Sequence, residues 1–250
     1  MQLLISIDLM GQSLELPIAY HHIVTSLYYR LMGQEEAVLH DVGKKFGKRE
    51  YRLFTFGPID GPYQVDRERK RIRFRDRITM EFRAADRNLV QTISNNALTD
   101  GVTFGNTTYK EVTCSLSDGK ITEQDIRIQM LSPICARKTE EEKTEDGCVR
   151  KKEIFLNPSL PEFAQAVADN FRRKYVAAFG VEPEGQISIS PVSVSHRDRY
   201  VTWYKGHVID AYKGLYRLQG SADQLTFLYN VGLGEKNSQG FGMFRVVNKK

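Results

Sequence analysis

Two Gly-x-Gly pairs near the end of the chain have the spacing that most directly suggests a chemical role. Gly232 with Gly234, and Gly240 with Gly242, flank five mostly polar residues, 235–239. Glycine lacks a Cβ and adopts positive φ readily, so such a loop can turn sharply and lay its backbone against a large ligand. Backbone N–H groups presented in this way are typical of phosphate-binding loops. The chemistry to test is therefore phosphate recognition.

The loop does not match the familiar nucleotide-binding motifs. A dinucleotide fingerprint requires a third glycine where this chain has Asn237, and it follows a strand, whereas this loop follows a predicted helix. A Walker loop requires G-K-[ST], which does not follow these glycines. The string "GFGMF" partly matches the aromatic RNA-recognition signature, although Gln239 and Met243 replace its basic and aromatic positions. A strand entry with Phe241 and Phe244 in the core explains those two rings equally well.

Positive charge is unevenly distributed along the chain. The formal net charge is +5, and cations concentrate in residues 44–52 and 67–77. The second segment has arginines at alternate positions, which share one face of a strand: Arg71, Arg73, Arg75 and Arg77. Such a row can follow a phosphate backbone, although a solvated outer sheet face is the alternative. On charge alone, nucleic acid is the leading partner.

Composition narrows the class of protein. The chain has 250 residues, of which 41% are hydrophobic, so it can bury one large or two small cores. The opening "MQLLISIDLM" alternates like a strand rather than a signal peptide, and no apolar run is long enough to span a membrane. Three cysteines without a C-x-x-C pair argue against disulfides and zinc. We expect a protein of the reducing cytoplasm without a zinc site.

The order of predicted elements is similar in the two halves of the chain. The first half predicts strands in 2–9, 51–59, 63–83 and 101–116, a helix starting near Ala19, a short helical segment ending at "AVLHDVG", and a helix in "DRNLVQTISNNAL". The second predicts strands near "LSPICARK" and in 148–156, 186–195, 200–218 and "FGMFRVV", helices in 160–180 and 221–232, and a charged excursion from Thr139 to Gly147. Each half approximates β-α-β-β-α-β. The fold class is therefore α+β, with tandem ferredoxin-like (RRM-like) domains in residues 1–118 and 122–250.

A resemblance to a known family implies a function for this chain. The string "VGLGEKNSQGFGM" closely resembles the C-terminal glycine-rich motif of the CRISPR-associated repeat-processing endoribonucleases, within the repeat-associated mysterious protein superfamily. In the order typical of that family, "LPIAYHHIVTSLYYRLM", "LHDVG" and "LFTF" lie near the other end. The resemblance spans nearly the whole chain.

The resemblance implies metal-independent cleavage of a CRISPR precursor transcript within each repeat. The RNA 2′-OH attacks the adjacent phosphate and leaves a 2′,3′-cyclic phosphate and a 5′-OH. This chemistry requires a base, an acid and cations around the transition state. The implied partner is a single-stranded or hairpin repeat RNA. Other subunits of an interference complex and a second copy of the chain are further partners left open.

Histidine suits the acid–base role because its usual pKa, about 6.5, populates both forms near neutrality. The chain has five histidines, which are His21, His22, His40, His196 and His207. The resemblance places the catalytic histidine at His40, where a helix ending at Gly43 would favour the imidazolium and hence an acid. A structural role at a helix end is the alternative.

The resemblance also indicates a catalytic tyrosine and a catalytic cation. On a helix, Tyr28 shares the apolar face, and Tyr29 lies on the polar face, free to bond RNA; Tyr29 also matches the family's tyrosine. Arg52 stands where the family often carries lysine, and guanidinium can stabilise charge but does not transfer a proton. Lys44, Lys45 and Lys48 are alternatives for that proton transfer, or simple phosphate ligands.

The glycine loop then becomes a proposed RNA clamp. Its N–H groups, exposed by Gly232, Gly234, Gly240 and Gly242, together with Lys236, Asn237 and Ser238, would hold phosphates between the two halves. A structural crossing loop packed on the first domain is the alternative. Two other functions remain open: a catalytically silent subunit that binds repeat RNA, and a general RNA-binding module outside CRISPR systems.

Overall fold

Strands and helices alternate in two successive halves of the chain. The computed structural model describes residues 1–33, 43–143, 149–204 and 207–247. The first half contains β1 (Gln2–Pro17), α1 (His21–Leu31), β2 (Lys44–Phe46), β3 (Arg49–Tyr51), β4 (Phe54–Phe56), β5 (Tyr63–Asp66), β6 (Arg71–Ala84), α2 (Arg87–Asp100), β7 (Val102–Phe104), β8 (Thr107–Tyr109) and β9 (Val112–Ser117). The second contains β10 (Asp125–Met130), β11 (Arg137–Lys143), β12 (Val149–Phe155), α3 (Pro161–Phe179), β13 (Ser188–Ser193), β14 (Arg199–Tyr204), β15 (His207–Tyr212), β16 (Leu215–Gln219), α4 (Ala222–Val231) and β17 (Phe244–Val247).

Both halves form a sheet with the same antiparallel strand order. The first sheet runs β4-β6-β1-β9, with β5 also paired to β6, and the second runs β13-β16-β10-β17. In the first sheet β1 lies between β6 and β9, and in the second β10 lies between β16 and β17. Two helices accompany each sheet, and apolar residues from strands and helices form one core cluster per half. This is the tandem ferredoxin-like α+β fold that the sequence predicted.

The alternation of apolar and polar residues at the start of the chain matches the alternating burial of their side chains in β1. Leu3, Ile5 and Ile7 are fully buried, while the residues between them are only partly covered. The strand continues past the predicted end near residue 9 because Met10 and Gly11 adopt positive φ, which inserts a bulge, and pairing with β6 resumes at Ser13. A long ribbon therefore extends from the sheet.

The predicted charged excursion from Thr139 to Gly147 is wrong in its described part. Residues up to Lys143 belong to β11, which pairs with β12 in a two-stranded ribbon. Opposite charges lie across the ribbon: Glu142 forms a 3.6 Å ion pair with Lys152. Such cross-strand pairs stabilise a solvated strand that composition alone predicts to be a loop.

The predicted row of arginines lies along one exposed face of β6. Carboxylates on the neighbouring strand partly neutralise it: Glu15 lies 2.7 Å from Arg73 and 3.9 Å from Arg71, and Asp8 lies 3.4 Å from Arg77. The charge available to a ligand on this face is therefore smaller than the sequence suggests.

A buried arginine connects the two halves. Arg83 of β6 is 1% exposed, pairs with Glu81, and donates a 2.7 Å hydrogen bond to the Phe244 carbonyl. Its guanidinium lies 3.7 Å from the ring centroid of Tyr229 on α4. A charge this deeply buried requires several partners, so these contacts hold the halves in one arrangement.

A short connection joins the last strand of the first half to the second half. β9 ends at Ser117, and Ile121 packs in the second core.

In the described part of the chain, Cys114 and Cys135 are free thiols, and no helix has both the length and the apolar character needed to cross a bilayer.

Candidate functional site

A polar cavity of about 490 Å³ lies where the two halves meet. One wall comes from β3 and the residue that follows it, and the opposite wall comes from the glycine-rich loop before β17. The lining residues are Arg49, Glu50, Tyr51, Arg52, Arg137, Glu153, Asn170, Lys174, Glu235, Lys236, Asn237, Ser238 and Gln239. The fold therefore brings Arg52, predicted as a catalytic cation, to the same cavity as the loop residues predicted to bind RNA.

Arg52 reaches the cavity from the short link between β3 and β4. Its guanidinium carbon lies 5.5 Å from the ring centroid of Tyr29. That ring in turn makes an edge contact with Phe54, with centroids 6.0 Å apart. The structure thus places two of the three predicted catalytic residues next to each other.

The predicted environment of Tyr29 is wrong, whereas that of Tyr28 is confirmed. Tyr28 is 1% exposed, but Tyr29 is also buried, at 7%. Thr25, one turn earlier on the same helix face, is likewise buried. The reason is tertiary: Phe54 and Arg52 pack on the Tyr29 ring, and the loop residues Asn237–Gln239 contact α1. A catalytic role for Tyr29 stays a prediction and requires the ring to act from a covered position.

The four loop glycines serve close packing. All four have positive φ, and a Cβ on Gly240 would lie 2.6 Å from the Phe56 ring, while one on Gly242 would overlap the Leu233 carbonyl. Gly232 and Gly234 are similarly enclosed. The N–H groups of Gly240 and Gly242 donate to carbonyls of the protein itself. For the glycines, this packing fits the crossing-loop alternative, and their predicted contact with RNA stays a prediction.

A buried lysine holds the loop in this conformation. Nζ of Lys174, on α3, donates to the carbonyls of Gly232 at 3.0 Å and Gly234 at 2.7 Å, and to Oδ1 of Asn237 at 2.5 Å. Burial lowers the pKa of Lys174 to about 7. Three acceptors around one nitrogen nevertheless require three donated protons, so the geometry favours the ammonium form.

Asn237 completes this internal network. It is 4% exposed, and its Nδ2 donates at 2.9 Å to the carbonyls of both Leu233 and Phe241. Its expected position at an exposed loop apex is therefore wrong, because its side chain closes the loop on itself, and its contact with a phosphate stays a prediction. Lys236 and Ser238 stay partly exposed and line the cavity.

An ion-pair network fixes the other side of the loop. Arg137 of β11 pairs with Glu235 in the loop and with Glu153 of β12. Burial by itself lowers the pKa of Arg137, but the two carboxylates outweigh burial and raise it. Arg137 is thus held by two carboxylates. Among the described residues, the other cationic side chains at the surface of the cavity are Arg49, Arg52 and Lys236.

His21 lies beside the same loop. Its ring stacks on Tyr200 and makes an edge contact with Phe241, with centroids 5.9 and 5.4 Å away. Burial lowers its pKa to about 4, and the Gln239 backbone only partly opposes this effect. The imidazole is therefore neutral at pH 7. His22, on the same turn, is exposed, and its Nδ1 lies 3.0 Å from the Ala19 carbonyl.

His40 and the short helical segment predicted around it lie outside the described residues. The predicted lysines Lys44, Lys45 and Lys48 are exposed on the β2–β3 hairpin. They do not line the cavity, although the same hairpin contributes Arg49 to it. Their predicted role as phosphate ligands concerns RNA that extends beyond the cavity.

Lys174 and Asn170 are among the cavity residues that sequence reasoning missed. Both lie on the buried face of α3 with Phe163, Val167 and Phe171. The signal was present, since the helical period places two polar side chains within an otherwise apolar stripe. A lysine there requires specific partners, and those of Lys174 belong to the glycine-rich loop.

Comparison with known proteins finds a matching family model and a sequence relative. The family model described as CRISPR associated protein Cas6, C-terminal, matches residues 115–246. The CRISPR-associated endoribonuclease Cas6 of Pyrococcus furiosus is 35% identical over 103 residues, which cover 41% of this chain. The match spans only 38% of the length of that relative.

Solved structures share the fold over both halves. A structure described as a Cas6-related gene product from Pyrococcus furiosus has a TM-score of 0.79 at 19% identity, covering 100% of this chain and 99% of that one. Another, described as an RAMP protein binding different RNA substrates, has a TM-score of 0.77 at 16% identity, covering 99% and 100%. The tandem ferredoxin-like architecture is therefore shared with these proteins.

Proposed function

The chain belongs to the Cas6 family of CRISPR-associated proteins, and on that premise we propose that it is an endoribonuclease that cleaves CRISPR precursor transcripts within each repeat. The products are guide RNAs with a 2′,3′-cyclic phosphate on one side of the cut and a 5′-OH on the other. The curated relative is an endoribonuclease by name, which supports this activity. The substrate is a repeat RNA, single-stranded or folded into a hairpin.

The observation that carries the proposal is the cavity shared by Arg52 and the glycine loop. Arg52 comes from the first half, while Lys236 and Ser238 come from the second, and all three line one polar space. A phosphate seated there contacts a guanidinium, an ammonium and a hydroxyl. Such cations stabilise the extra negative charge that develops on a phosphorane-like transition state.

The reaction needs no nucleophile from the protein. The ribose 2′-OH loses its proton to a general base as it attacks the adjacent phosphorus, the P–O5′ bond breaks, and a proton is delivered to the departing 5′-oxygen. We assign that proton to His40 as general acid, with Tyr29 orienting the phosphate from beneath Arg52. Arg52 stays protonated throughout, so it stabilises charge without exchanging a proton. We propose that the reaction requires no metal ion.

One feature favours a second function, a silent subunit that binds repeat RNA without cutting it. Arg52 stands where related sequences often carry lysine, and guanidinium cannot replace an ammonium in proton transfer. A silent protein would bind repeat RNA tightly and release no product.

Cleavage of a repeat RNA from the host array, in EDTA, tests the proposal. The wild type is expected to cut once per repeat, and both His40→Ala and a single 2′-deoxy substitution at the scissile nucleotide are expected to abolish the cut. His196→Ala is the matched control, because that residue lies in a short turn away from the cavity. Tight binding without product would instead establish the silent subunit.

A further inference from the structure

Asn170 is a buried polar residue that the proposed reaction does not use. It lies on α3 one turn before Lys174, is 3% exposed, and lines the cavity. Among the described residues, its Oδ1 has no hydrogen-bond partner. A buried acceptor without a donor is costly, so such atoms in folded proteins call for an explanation.

Further polar atoms around the same cavity share this property, among them the Tyr51 hydroxyl. Oε1 of Gln239, on the glycine loop, and Oε1 of Glu50, on β3, are buried and lack partners within the described part of the chain. Together with Asn170 they come from three different elements. All three groups accept hydrogen bonds, so the ligand that matches them is a donor of several N–H groups.

The rest of the cavity matches the other parts of a nucleotide. Arg52 and Lys236 supply positive charge for a phosphate, and Tyr51 supplies an aromatic ring, on which unpaired bases commonly stack. The volume of about 490 Å³ lies within the range of small-molecule pockets, about 300–1,000 Å³. A single nucleotide, rather than a phosphate alone, has the size and mixed polarity of this space.

We propose that the cavity is a base-reading subsite for one unpaired nucleotide next to the scissile phosphate, and that Asn170 and Gln239 select a base with an exocyclic amino group. Adenine, cytosine and guanine present such a donor, whereas uracil has no amino group and presents two carbonyl oxygens beside a single ring N–H. The subsite rests on the proposed function, since it requires RNA in the cavity. It assigns Asn170, Gln239 and Glu50 a role in substrate choice.

A binding experiment tests the subsite independently of cleavage. The probe is the repeat RNA with 2′-deoxy at the scissile nucleotide, in which the two nucleotides on each side are replaced one at a time by an analogue lacking the amino group. Inosine replaces guanosine, purine riboside replaces adenosine, and uridine replaces cytidine. At one position the wild type is expected to lose affinity about 5-fold to 10-fold, the effect of one or two hydrogen bonds.

Asn170→Leu is expected to abolish this sensitivity, and Gln239→Leu to reduce it. Gln165→Leu, on the exposed face of the same helix, is the control and is expected to keep it. The melting temperature distinguishes a loss of base recognition from a loss of folding stability. Asn170→Leu removes an unpartnered oxygen, so it is expected to leave the melting temperature equal or higher. An equal loss of affinity for every RNA, together with a lower melting temperature, would overturn the proposal.

The outcomes also separate this inference from the proposed function. Cleavage by the wild type with no response to any of the four base replacements overturns the subsite and leaves the nuclease intact. Absence of cleavage, with an amino-group preference that depends on Asn170, supports the subsite and overturns the nuclease.

Discussion

The Nζ of Lys174 donates a 2.5 Å hydrogen bond to Oδ1 of Asn237, and both side chains are almost fully buried. Nδ2 of Asn237 in turn donates hydrogen bonds to the carbonyls of Leu233 and Phe241, on either side of the loop. A single ammonium on α3 therefore organises the loop that faces Arg52. The carbonyls at the two ends of the loop are thus satisfied by side chains of the protein itself.

Replacing Lys174 tests this organisation. Lys174→Met leaves two carbonyls and Oδ1 of Asn237 without a donor, so we expect the free energy of unfolding to fall by about 2–4 kcal/mol. Chemical denaturation measures it, with Lys120→Met as the exposed control. Equal stability of the two variants would show that the loop does not depend on the ammonium.

Gly242→Ala tests whether the loop glycines serve packing. Gly180 also has positive φ, but a Cβ there meets nothing within 4 Å, so Gly180→Ala costs only backbone strain of about 1–2 kcal/mol. At Gly242 the added Cβ overlaps the Leu233 carbonyl, and we expect a further loss of about 2 kcal/mol or more. Thermal unfolding compares the two variants. If their losses are similar, the loop is not closely packed at this position.

Substitution of Arg52 tests its electrostatic role. Arg52→Ala is expected to lower the single-turnover cleavage rate about 100-fold, the usual effect of removing one group that stabilises transition-state charge. Arg52→Lys retains the charge and is expected to keep most of the rate. Arg87→Ala, which breaks an exposed ion pair with Asp118, controls for loss of a surface arginine. A wild-type rate for Arg52→Ala would place the scissile phosphate elsewhere.

The buried imidazole of His21 predicts a pH dependence of stability. Its pKa of about 4 in the folded protein lies below the usual 6.5. Between these values the unfolded chain binds a proton that the folded chain does not, so stability falls as the pH drops from 6.5 to 4, by up to about 1.4 kcal/mol per pH unit.

Urea denaturation across this window measures the slope. His21→Phe keeps an aromatic ring beside Tyr200 and is expected to flatten the curve, whereas His22→Gln controls for loss of an exposed histidine. An unchanged slope in His21→Phe would assign the acid sensitivity to other groups.

Much of the fold could be predicted because its signals are local. Alternation in residues 2–9 and the helices predicted in 160–180 and 221–232 depend on neighbours in the chain, and each appears in the structure. The resemblance carried by the glycine string also proved correct at the level of the family. The extent of β1 was missed because it depends on pairing with β6, and the strand character of residues 139–143 was missed because it depends on pairing with β12.

One can infer from the amino-acid sequence that the chain forms two similar α+β halves, that it carries a glycine-rich loop between a helix and a strand, and to which family it belongs. What surrounds each side chain of the site becomes clear only in the folded structure. Helical periodicity placed Tyr29 on a polar face, but in the fold Phe54 and Arg52 pack on its ring. Asn237 looked available to RNA, yet Lys174, 63 residues away, binds it. Burial is set by contacts between segments far apart in the chain, and a local pattern does not contain them.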